Sequence, residues 1–168
     1  MAYSPFVPLR VFSSYTMLEG AIEPKAIAKA ARERGFPAIA ICDRNGLYGA
    51  MAFGDACKAA GVQPIVGALL SVARPGQRLA NGAPLIDWLA LYAQDNAGYD
   101  NLCALVSAAH LDRPAEDDPP VPFEAIEGRI ALIRAEWLRR TSGAGVNPSI
   151  WQAHAQQAGH YSKQCIPC

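Results

Sequence analysis

An α/β fold with parallel strands alternating with helices is what this sequence predicts, on three observations. Short apolar runs recur at residues 6–12, 38–42, 62–72 and 85–93. Between the first three runs lie two segments of helical periodicity, one stopped by Gly35 and the other by Gly61. Strand, helix, strand, helix, strand is the order of βαβ units and therefore of a parallel sheet. At 168 residues the chain has room for one domain core rather than two.

In the first run, Val7, Leu9 and Val11 alternate with Pro8, Arg10 and Phe12, the period of two expected of a strand. Pro24 suits a first helical turn, Ile27, Ala30 and Ala31 share a face, and Gly35 closes the helix. Residues 38–42 are apolar without alternation, as a strand covered on both faces is. Residues 43–46, Asp-Arg-Asn-Gly, read as a turn leading into a second helix through Met51, Ala52, Ala56 and Ala59. Residues 62–72 supply the third strand. Residues 74–84 hold Pro-Gly and Asn-Gly and read as an exposed connection to the fourth strand, 85–93. Leu102, Leu105, Val106 and Ala109 mark a third helix, and the proline and acid of 112–122 mark a stiff solvated loop. Beyond Gly128 the pattern weakens: a strand is expected near 130–133, a short helix over 134–140, and a loop over 141–149.

Fifteen basic and fifteen acidic side chains give a formal charge of zero, so no global field draws the chain to nucleic acid or to an acidic membrane. Five cysteines without a ladder of spacings suit reduced thiols and a cytoplasmic setting. No apolar run approaches the roughly 20 residues that cross a bilayer.

Four stretches carry a resemblance: FVPLRVFSSYTMLEGAI, FPAIAICDRNGLYGAMAF, GVQPIVG and AGYDNLCALVSAAHL. In this order they resemble the N-terminal polymerase and histidinol phosphatase (PHP) domain of the bacterial replicative DNA polymerase III alpha subunit. The resemblance implies a distorted (β/α) barrel, incomplete here, with residues 1–128 as the N-terminal part of a PHP-like domain. Residues 129–168 read as a divergent tail outside the native fold, of the kind a disrupted reading frame would leave.

Active relatives hold zinc or manganese at the carboxyl ends of the strands, where barrels place chemistry. By resemblance, histidines belong where Pro8, Arg10 and Phe12 stand. Asp43 is retained, Arg44 replaces an imidazole, Leu69 stands for a glutamate and Trp88 for a histidine. One carboxylate does not hold two or three divalent ions, so no metal and no catalytic residue is expected in this chain. Asp43 alone has an ordinary reading as a cap for the turn or helix that follows it. Arg10 and Asp43 on neighbouring strands are expected to pair, the guanidinium neutralising the carboxylate. A second, weaker set is His154, His160, Cys165 and Cys168, which combines two imidazoles with the two-residue gap of a zinc knuckle.

The resemblance implies DNA replication: a full-length subunit that is a DNA-directed DNA polymerase, a nucleotidyltransferase. This truncated chain is expected to be non-catalytic alone, a structural element or a docking surface for the proofreading exonuclease and other holoenzyme subunits, with little direct DNA contact and no membrane contact. The alternatives are a metal-dependent PHP phosphoesterase, a small zinc protein built on the tail, and a non-functional remnant.

Overall fold

The computed structural model describes residues 6–111, 120–127 and 133–138. Helix α1, Pro24–Glu33, begins on the expected proline and is left through Gly35 at φ 69°. Strand β1, Ala38–Arg44, is buried over five consecutive residues. Helix α2, Ala50–Ala60, ends in a left-handed Gly61 whose N–H returns to the Lys58 carbonyl. Strand β2 runs Gln63–Arg78, strand β3 Pro84–Ala93 and helix α3 Asn96–Leu111. A two-residue strand β4, Val121–Pro122, precedes the short helix α4, Phe123–Glu127, and strand β5 spans Ile133–Leu138.

The sheet is mixed, which corrects the expectation of parallel strands alternating with helices. β1 and β4 lie parallel to β2 along one of its edges, β1 beside residues 63–69 and β4 beside Val72 and Ala73. β3 pairs antiparallel with β2, and β5 antiparallel with β3. The reason lies in the connection: no helix separates β2 from β3, and a parallel crossover needs a dozen residues or more, whereas a tight turn closes a hairpin. The expected exposed connection is accordingly narrower than 74–84. β2 continues through a register shift between Ala73 and Arg78, with Gly76 at φ 68°, and the tip closes where Leu79 N–H meets the Ala83 carbonyl.

The first apolar run is not a regular strand. It lies along β1, where the Pro8 and Val11 carbonyls accept from the Ala40 and Cys42 amides. Two residues of β1 are thus spanned by three of the run, and Pro8 has no N–H to return. Past Gly128 the expected helix over 134–140 is replaced by β5, whose six residues pair with Ala93 back to Trp88. The sheet therefore continues beyond the boundary expected after residue 128. The zinc set His154, His160, Cys165 and Cys168 lies outside the described residues.

All three long helices cover one face of the sheet. Ile39 and Ile41 pack with Ile27, Ala31, Phe53 and Cys57, while Leu70, Leu89 and Leu91 pack with Leu102 and Leu105. The opposite face carries Ala40, Cys42, Leu69, Ala90 and Tyr92, against which Phe12 and Trp88 lie. Alternation along each strand makes this division, since successive side chains leave a strand on opposite sides. Gly67 shows how close the packing is, because a Cβ there would stand 2.7 Å from the Leu91 carbonyl oxygen.

Candidate functional site

The carboxyl end of β1 meets a loop, residues 13–22, that closes on itself. Ser13 and Ile22 form an isolated parallel bridge, Ser14 N–H donates to the Ile22 carbonyl, and Gly20 N–H to that of Thr16. Gly20 has a steric reason to be glycine: a Cβ would fall 1.9 Å from the Ser13 carbonyl oxygen. Leu18 takes φ 69°, unfavourable for a residue with a side chain, and is fully solvent-exposed.

Asp43 holds this loop from below. It is 1% exposed, and its Oδ1 accepts from Ser13 N–H at 2.7 Å and from Thr16 Oγ1 at 2.9 Å. Its Oδ2 accepts from Ser13 Oγ at 2.7 Å. Asp43 therefore organises a turn that precedes it in the chain, residues 13–16, rather than capping the turn or helix that follows it. The expected pair with Arg10 is not formed: Arg10 is exposed and lies over the Phe12 ring, 5.3 Å from its centroid. Two short hydroxyl side chains and a backbone amide reach the buried carboxylate without taking a guanidinium out of water, which favours them over an arginine.

Arg44 leaves the strand on the other side. Its backbone N–H donates to Thr16 Oγ1 at 3.1 Å, so Thr16 bridges both residues. Its guanidinium meets Glu19 Oε1 at 2.5 Å and stands 4.2 Å from the centroid of the Trp88 ring. Next in the chain, Asn45 is buried at φ 48°; its Oδ1 accepts from Ser71 N–H at 3.0 Å, and its carbonyl is 2.7 Å from His110 Nε2. This last contact ties the end of α3 to the rim.

Of the positions where the resemblance implies metal ligands, Phe12, Leu69 and Trp88 share one apolar cluster, and Arg44 joins them through Trp88. Pro8 lies beside β1, and Asp43 points to the loop. The sequence reading missed Ser13, Thr16, Glu19, Asn45 and Ser71; the Ser-Ser-Tyr-Thr run after an apolar stretch was the available signal, a cluster of short hydroxyls suited to bonding a nearby acid.

The metals of active relatives do not fit these residues. Phe12, Leu69 and Trp88 offer no ligating atom, Arg10 and Arg44 are cationic, and both Asp43 oxygens already accept hydrogen bonds. No group of three His, Cys, Asp or Glu side chains is gathered among the described residues.

These features define an α/β domain with helices on one face of a mixed sheet and its polar constellation at a strand end. The chain belongs to the PHP domain family, whose model matches residues 8–163. It is 41% identical over 136 residues to the DNA polymerase III subunit alpha of Caulobacter vibrioides, a match covering 76% of this chain and 12% of that protein. It is 40% identical over 135 residues to an error-prone DNA polymerase of Anaeromyxobacter sp. (strain K), covering 75% of this chain and 11% of that one. The chain thus spans about a ninth of the length of these relatives. Among solved structures, it is similar to a protein of Bifidobacterium adolescentis assigned as a metal-dependent phosphoesterase, with a TM-score of 0.44 and 14% identity, covering 64% of this chain and 35% of the other. Among the described residues no helix is long and apolar enough to cross a membrane.

Proposed function

We propose that this chain is the N-terminal PHP portion of a replicative DNA polymerase III alpha subunit, without chemistry of its own, acting in the cytoplasm as a structural element and a docking surface for the proofreading exonuclease. The polymerase activity, nucleotidyl transfer, belongs in this reading to the parts of the subunit beyond this chain. The observation that carries it is the state of the former ligand positions: a cation on an indole, two apolar side chains, and a carboxylate fully engaged in holding a loop. Hydrolysis by the family's chemistry needs a metal-bound hydroxide, and these side chains do not assemble a site for one. A docking role draws support from the same loop. Tyr15, Met17 and Leu18 face solvent on a frame braced by Asp43, and Tyr48 and Met51 are exposed in the segment that follows β1. Large apolar side chains held out on an ordered loop suit a protein partner.

Calorimetric titration of the full chain with the purified exonuclease tests the proposal. Saturable binding in the micromolar range, weakened by Met17→Asp with Leu18→Asp, is the expected result. No binding at high micromolar concentration would leave the non-functional remnant as the better reading. Manganese-dependent phosphodiester hydrolysis that disappears on Asp43→Ala would favour the phosphoesterase instead.

A further inference from the structure

Two of the replaced ligand positions are far apart in sequence yet meet in space. Arg44 stands at the end of β1 and Trp88 in β3, two strands away in the order β1-β2-β3. Their side chains come together as a guanidinium 4.2 Å from an indole centroid. A planar guanidinium is suited to this contact, and tryptophan offers the strongest ring face for it. The same guanidinium reaches Glu19 on the 13–22 loop, with the arginine side chain 27% and the glutamate 40% exposed. Asp43 grips that loop at its start, through Ser13 and Thr16, while Glu19 lies near its end.

We infer that Arg44 and Trp88 are a joint replacement for the vacated metal site, a guanidinium seated on an indole that supplies a fixed positive charge at the rim and holds the 13–22 loop in place of a metal ion. The inference rests on the chain's place in the PHP family and not on exonuclease docking. Arg44 is a positioning residue in it: it acts through Glu19 on the loop, and Trp88 acts by orienting Arg44. Lysine in its place would keep the charge and lose the stacked plane.

The test is a double-mutant cycle on the full chain, read by hydrogen exchange at the Ser14 and Gly20 amides, which close the loop through Ile22 and Thr16. Arg44→Ala and Trp88→Ala should each lower protection at both amides. The double variant should be little worse than the weaker single variant, with a coupling of about 5- to 30-fold in the loop-opening equilibrium. Arg44→Lys should give intermediate protection. Should Trp88→Ala not fold, Trp88→Phe against Trp88→Leu replaces it, with the phenylalanine variant the better protected. A second arm adds manganese or zinc to the purified chain. Wild type should take up neither in stoichiometric amount. Additive effects in the cycle would overturn the inference, as would a wild-type loop that gains protection from added metal. Loss of exonuclease binding with the coupling intact would instead count against the docking proposal alone.

Discussion

Two aspartates of this domain solve the same problem in opposite ways. Asp43, at the end of a strand buried on both faces, is 1% exposed and is satisfied by Ser13 and Thr16. Asp87, on the β2–β3 hairpin, is satisfied by one arginine: Arg74 Nε meets its Oδ2 at 2.7 Å and Arg74 Nη2 its Oδ1 at 2.6 Å. Both side chains of that pair are about a fifth exposed. The hydrogen bonds to Asp87 push the Arg74 pKa above its ordinary value against a smaller opposing effect of burial, and the negative charge adds to the rise. A guanidinium keeps part of its hydration at a hairpin edge, whereas beneath a loop only short donors fit without desolvating a second charge. The arginine–carboxylate pair expected at Arg10 and Asp43 thus occurs elsewhere, at Arg74 and Asp87.

Breaking the buried half of this comparison should have the larger effect. Asp43→Ala strands the Ser13 amide and two hydroxyls and should cost about 3 kcal/mol in urea unfolding. Asp43→Asn, which keeps the shape but offers one acceptor instead of two, should fall between that variant and wild type. A loss under about 1 kcal/mol for Asp43→Ala would mean that the loop is held by other contacts.

The hairpin half should be milder. Arg74→Ala should cost about 1 kcal/mol, and adding Asp87→Asn should recover part of it, because the remaining partner is no longer charged and unpaired. Equal losses for Asp43→Ala and Arg74→Ala would remove the distinction between the two sites.

The smallest of the three effects is read on the alkaline side, at a group outside both. Burial against α1 and β1 raises the Cys57 thiol from its ordinary 9.0 to about 11. Its contribution is complete below pH 9, where folded and unfolded states both keep the proton, and is lost as pH rises toward 11, where the unfolded chain ionises first. Cys57→Ala should therefore flatten the alkaline fall in stability, measured by urea unfolding across that window, while Cys103→Ala leaves Cys57's share in place.

Much of the α/β frame was legible along the chain. α1 with Pro24 and Gly35, β1 with its unbroken apolar run, and α2 with Gly61 all depend on contacts within a few residues or on burial that leaves an apolar signature. The same is true of α3. Strand direction at β3 was less legible, because an apolar run looks alike whichever way it pairs; only the missing helix in the connection pointed to a hairpin. Pro8 hid a different fact. Alternation around it resembles a strand, but without its N–H the segment pairs with β1 irregularly.

The site divides along the same line. By itself the sequence determined which residue types stand where the resemblance implies ligands, and hence that Phe12, Leu69 and Trp88 bring no donor to a metal. Only the tertiary structure decided the partners: Asp43 turned to Ser13 and Thr16, and Arg44 to Glu19 and Trp88. The physical reason is the pleat. Consecutive residues of one strand leave it on opposite faces, so Asp43 and Arg44, adjacent in the chain, reach different neighbours that no local pattern specifies.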